Sequence, residues 1–113
     1  MDWEIIEKSI KDNALIGKKL MKDATVGGKF YNIEVLYEWL WHGHEYGFIY
    51  KDKEYFICNG YVKNTDKLNL RVLIIDIDQV IHYNSVGELF DNFVVDGKSF
   101  REFFLDVDVI DEF

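Results

Sequence analysis

The sequence runs to 113 residues, 49 % hydrophobic, 17 % aromatic and 30 % charged, with a formal net charge of −8. One domain over residues 1–113 accounts for that length, and so large an apolar share excludes a disordered acidic tail. Ten acids face three cations from Arg71 to Phe113, while six lysines face five acids in the first thirty residues; a field so lopsided argues against nucleic acid and membrane surfaces as partners and favours basic proteins.

Trp3, Ile6 and Ile10, with Ile5 beside them, recur at helical spacing among charged neighbours and predict an amphipathic helix over about residues 2–12. Leu15, Ile16, Leu20 and Met21 continue an apolar face past Lys18, Lys19 and Lys22 as a second short helix or an extension, which Gly27-Gly28 ends. Asn32 is a good N-cap for a helical stripe of Ile33, Leu36, Tyr37, Leu40 and Trp41 that stops near Gly43. Two aromatic, β-branched runs, Tyr46–Tyr50 and Glu54–Cys58, flank Lys51-Asp52-Lys53 and predict a β-hairpin. Leu68–Ile75 reads as a third strand and Val80–Tyr83 as a fourth. Ser85 and Glu88 have the spacing of a capping box, ahead of Leu89, Phe90 and Phe93. Asp96-Gly97-Lys98 is a turn into a last short helix with Phe100, Phe103 and Phe104. The tail alternates Leu105, Val107 and Val109 with Asp106 and Asp108, in the manner of an edge strand.

Cys58 is the only cysteine, so no internal disulfide can form, and a reducing compartment suits the chain. The start Met1-Asp2-Trp3-Glu4 lacks the basic, then apolar, signature of a signal peptide, and the longest apolar run is too short for a bilayer. A cytoplasmic location follows as the expectation. With no proline, the turns rest on Gly, Asn and Asp.

No catalytic motif stands up. His42 and His44 flank Gly43, and Cys58 and His82 offer further soft donors, but the spacing fits no closed four-ligand zinc pattern. No metal or cofactor is therefore expected. Ser85 is accounted for as a cap, and nothing in the sequence gives Cys58 the electropositive setting that activates a thiol. Asp76-x-Asp78 and Asp106-x-Asp108-x-x-Asp111-Glu112 lack the EF-hand glycine and terminal glutamate, and suit a solvated strand edge as well as a cation. Val26-Gly27-Gly28-Lys29 shares letters with a phosphate loop but not the Walker spacing. Lys18, Lys19 and Lys22 are too few for nucleic-acid affinity.

Glu45-Tyr-Gly-Phe-Ile-Tyr50, Lys53-Glu-Tyr-Phe-Ile57, Tyr83-Asn-Ser-Val-Gly-Glu-Leu89 and Asn92-Phe-Val-Val-Asp-Gly-Lys-Ser-Phe-Arg-Glu102 together form a pattern over about residues 33–104. It resembles one found in short, uncharacterised proteins of Gram-positive bacteria. The Val-Asp-Gly-Lys-Ser-Phe stretch is its most specific part. The resemblance implies a helix, a small antiparallel sheet and a helical carboxy-terminal piece, and it carries no activity and no catalytic residue. The lysine-bearing amino-terminal segment and the Asp-rich tail depart from the pattern, so function could reside in them.

These readings converge on an α+β fold: a small antiparallel sheet of three to four strands with helices packed on one face. The expected core draws on Trp3, Ile6, Leu36, Leu40, Phe48, Tyr50, Phe56, Leu73, Leu89, Phe93 and Phe103. The functional expectation is a non-catalytic acidic module, of inhibitor or immunity type, that covers a basic site on a protein partner. Asp76, Asp78, Asp106, Asp108, Asp111 and Glu112 would make the contact. Two alternatives stand beside it: a structural domain, with a homodimer formed through an exposed strand edge, or a small-molecule or metal-binding protein using the aromatic hairpin and His42/His44.

Overall fold

A computed structural model describes residues 3–15, 22–60 and 69–113. The predicted continuation through Leu20 and Met21, with Lys18 and Lys19, lies outside the described residues. The first helix, α1, spans Trp3–Leu15. Gly27-Gly28 does not end a helix; both residues have positive φ and turn β1 (Thr25–Val26) back into β2 (Lys29–Phe30). Helix α2 (Ile33–Trp41) starts where expected, because the Asn32 side chain accepts from the backbone N–H groups of Glu34 and Val35 at 2.9 and 3.1 Å.

The hairpin forms as β3 (Tyr46–Tyr50) and β4 (Lys53–Cys58), with Tyr50 opposite Lys53. Its loop is therefore Lys51-Asp52 alone, both at positive φ, the backbone that a two-residue hairpin turn requires. Then come β5 (Leu70–Ile74), a 3₁₀ turn at Ile75–Ile77 and β6 (Gln79–Tyr83). Helix α3 (Val86–Asn92) is capped by Ser85, whose Oγ accepts from Glu88 N at 3.0 Å, while Glu88 reaches back to Asn84 N at 3.2 Å. A small hairpin, β7 (Val94–Val95) and β8 (Lys98–Ser99), turns at Asp96-Gly97 and leads into α4 (Phe100–Phe103). A 3₁₀ turn at Phe104–Asp106 hands the chain to β9 (Asp108–Glu112).

The fold is α+β, and the sheet is larger than the three to four strands expected. Five antiparallel strands run in the order β6-β5-β4-β3-β9, because the tail does pair, along β3. Phe48 faces Val109 and Gly47 faces Asp111, so Ile110 is an extra residue that bulges β9. Among the described residues β6 has no strand on its far side. On the other edge, Gly28 O accepts a hydrogen bond from Val109 N at 2.8 Å, so the β1–β2 turn covers part of β9.

One face of the sheet presents Tyr46, Phe48, Tyr50, Tyr55, Ile57 and Val72 to the helices. Phe100 stacks on Phe48 at 5.8 Å, Phe103 on Tyr50 at 4.3 Å, and Phe93 meets Tyr55 edge-on at 5.6 Å. Most of the expected core residues lie here; Trp3 and Ile6 pack against the core while partly exposed. Phe56 and Leu73 are the correction. They lie outside the core, because strand side chains alternate and Tyr55, Ile57 and Val72 already point inward. Phe56 and Leu73 sit opposite each other on the other face, in one cross-strand row with Gly47 and Val80.

Candidate partner-binding surface

Register decides where the acids go. At one end of the sheet β3 turns into β4 through Lys51-Asp52, β5 turns into β6 through Ile75–Asp78, and β9 begins with Asp108 opposite Ile49. Asp76, Asp78, Asp106 and Asp108 therefore sit at the same end, all exposed. With strands about 4.8 Å apart, four intervals make that end about 19 Å wide, the scale of a protein contact and not of one ion. Asp78 closes the 3₁₀ turn in the left-handed region at φ 49°, a conformation that aspartate tolerates better than most residues.

Two residues that sequence reading left out join them. Asp52 is part of the β3–β4 turn, and Asp96 at the β7–β8 turn is tied to Lys51 at 3.2 Å. Lys51 titrates above its ordinary value, chiefly through its hydrogen bond with Asp96. Tyr55 records the same gathering: its phenol is raised first by burial and then by the charges of Asp96 and Asp76. Asp96 was legible only as a turn former, since nothing in the local sequence says that a turn far along the chain reaches the hairpin. Lys29 offsets part of the charge by pairing with Asp108 at 2.6 Å. Asp76, Asp78 and Asp106 have no cationic partner among the described residues.

Asp111 and Glu112 lie toward the opposite end of β9, facing Gly47 and Tyr46. The bulge puts Asp111 on the same face as Asp108, beside the Phe56 ring, where Gly47 leaves room because it carries no Cβ. Glu112 turns to the other side, where its Oε1 accepts from Thr25 Oγ1 at 3.0 Å and it lines a cleft with Trp39, His44 and Tyr46. Of the six candidate residues, four thus share one end of the sheet and two do not.

The soft donors do not converge. His42 is the exposed C-cap of α2, while His44 lies against the Trp39 ring at 4.3 Å, with Nδ1 3.2 Å from Phe113 O. Among the described residues no group of three or more His, Cys, Asp or Glu side chains is placed to hold a metal ion. Cys58 is buried, and burial raises its thiol; Arg71 lowers it by less and Glu45 raises it further. That is the setting of an inert thiol. Among the described residues no helix is long and apolar enough to cross a membrane. No protein-family model, curated protein or solved structure matches the chain.

Proposed function

We propose that the chain is a non-catalytic binding module whose acidic sheet end docks onto a basic surface of a protein partner, in the manner of an inhibitor or immunity-type protein. The observation that carries the reading is the coincidence of three separate turns and the start of β9 at one end of the sheet, each delivering aspartates. Exposed carboxylates without a cation of their own add little to stability but project a field over about a Debye length, which speeds and orients encounter with a basic partner.

The test compares the wild-type chain with a D76N/D78N/D106N variant as bait in a host lysate, with stepwise salt elution. The expected result is a basic protein that the wild type retains at low salt and releases at moderate salt, and that the variant fails to hold. Equal retention by both baits overturns the reading, since among the described residues no ion pair uses these three carboxylates.

A further inference from the structure

The far end of β9 carries a second feature, independent of the acidic sheet end. A cleft of about 460 Å³ opens between β1, the last turn of α2, the start of β3 and the end of β9. Its walls are fixed. Trp39 Nε1 donates to Lys22 O at 2.9 Å, Thr25 Oγ1 donates to Glu112 Oε1 at 3.0 Å, and Glu45 and Phe113 exchange backbone hydrogen bonds of 3.0 and 2.9 Å. The volume is that of a small-molecule or side-chain pocket.

The chemistry of the lining is one-sided. Asp23 and Glu112 contribute carboxylates, neither with a cationic partner among the described residues. Phe113 O can only accept, so in its contact with His44 Nδ1 at 3.2 Å the ring nitrogen is the donor. Tyr46, only 2 % exposed overall, lines the cleft beside Glu112. Trp39 and Tyr46 add aromatic surface that attracts cations. Among the described residues no group of three or more His, Cys, Asp or Glu side chains is placed to hold a metal ion, here or elsewhere.

We propose that this cleft binds a guanidinium group, with Glu112 and Asp23 as its anionic partners and Trp39 as its stacking surface. A guanidinium is flat, always charged and offers five N–H donors in a fixed fork, which suits spread acceptors against an aromatic wall better than a compact ammonium does. Glu112 has Oε1 engaged by Thr25, and Oε2 has no hydrogen-bond partner among the described residues.

The experiment is an amide and indole NMR titration of the full chain with two probes, agmatine and a short peptide holding one arginine with both ends blocked. Saturable shifts are expected at the Trp39 indole and at His44–Tyr46. They should weaken about tenfold in E112Q, which keeps the Thr25 hydrogen bond and loses only the charge. The citrulline form of the peptide should not bind. Binding of both probes points to an arginine side chain of a partner, and binding of agmatine alone to a free small guanidine. Either supports the assignment. No saturable shift with either probe, or unchanged affinity in both E112Q and D23N, overturns it. D76N/D78N/D106N should bind agmatine as the wild type does; loss of binding there would assign the cation to the acidic sheet end and sink the cleft. This arm separates failure of the cleft from failure of the docking surface.

Discussion

At the scale of single residues, Gly87 is the described glycine with least room for a side chain, and Trp3 is what fills the space. A Cβ at Gly87 would lie 2.7 Å from Trp3 Cδ1 and 2.8 Å from Cγ. The indole has little freedom to retreat. It stacks on Tyr37 at 5.0 Å and Phe90 at 5.2 Å, takes the Arg101 guanidinium at 4.5 Å, and donates from Nε1 to Asp91 at 2.8 Å. Gly87→Ala adds about 1 kcal/mol of helix propensity, but overpacking against a held ring costs about 1–3 kcal/mol. We expect a net loss of about 1 kcal/mol in denaturant unfolding. In a Trp3→Ala background the same change should become stabilising, because only the propensity term survives. A loss of equal size in both backgrounds would mean that Trp3 is not what Gly87 accommodates.

At the scale of elements, α3 shows how a short helix is held. It has seven residues, too few to persist alone, and it carries Leu89 and Phe90 into the core. Ser85→Ala removes the Oγ that accepts from Glu88 N and should cost about 1 kcal/mol, with Ser85→Asp restoring most of it in the same unfolding assay. Local devices of this kind were legible in the sequence: the caps at Asn32 and Ser85, the hairpin around Lys51-Asp52-Lys53, of which Lys53 turns out to belong to β4, and the strand-like tail all rest on neighbours in the chain. What the sequence left open is parity and register. The runs Tyr46–Tyr50 and Glu54–Cys58 are apolar on both faces, so no alternation says that Tyr55 goes inward and Phe56 outward. Cross-strand pairing with Val72 and Leu73 decides it. The candidate surface follows the same rule. The aspartates could be read off directly, whereas the joining of Asp96 to Asp76, and the parting of Asp108 from Glu112, depend on contacts between distant turns and on the bulge at Ile110.

At the scale of the whole molecule, the buried tyrosines set an alkaline limit. Burial first and the Glu88 charge second push Tyr83 up to about 12. Tyr37 and Tyr46 are raised further, chiefly by burial, with a hydrogen bond to Glu7 adding to the first and the Glu112 charge to the second. In the unfolded chain these phenols ionise near 10. Between those values the unfolded state binds fewer protons than the folded one, so stability falls as pH rises. The contribution is fully present below about pH 10 and is lost as the pH climbs through about 12 and beyond. Unfolding midpoints measured from neutral to strongly alkaline pH should therefore hold steady and then drop, with the tyrosinate absorbance of Tyr37, Tyr46 and Tyr83 appearing late and together with unfolding. A midpoint that stays flat well above pH 10 would contradict the burial of these rings.

The two edges of the five-stranded sheet have opposite characters. The β9 edge is guarded by Asp108, Asp111 and Glu112 and is partly covered by the β1–β2 turn, whereas β6 is a run of Gln, Val, Ile, His and Tyr without a formal charge. Among the described residues, then, strand pairing has an unguarded edge on one side only. A second copy added there by a two-fold rotation would occupy both such edges at once and leave a guarded β9 at each margin. Pairing by that route would terminate at two copies, because head-to-tail stacking needs a second unguarded edge.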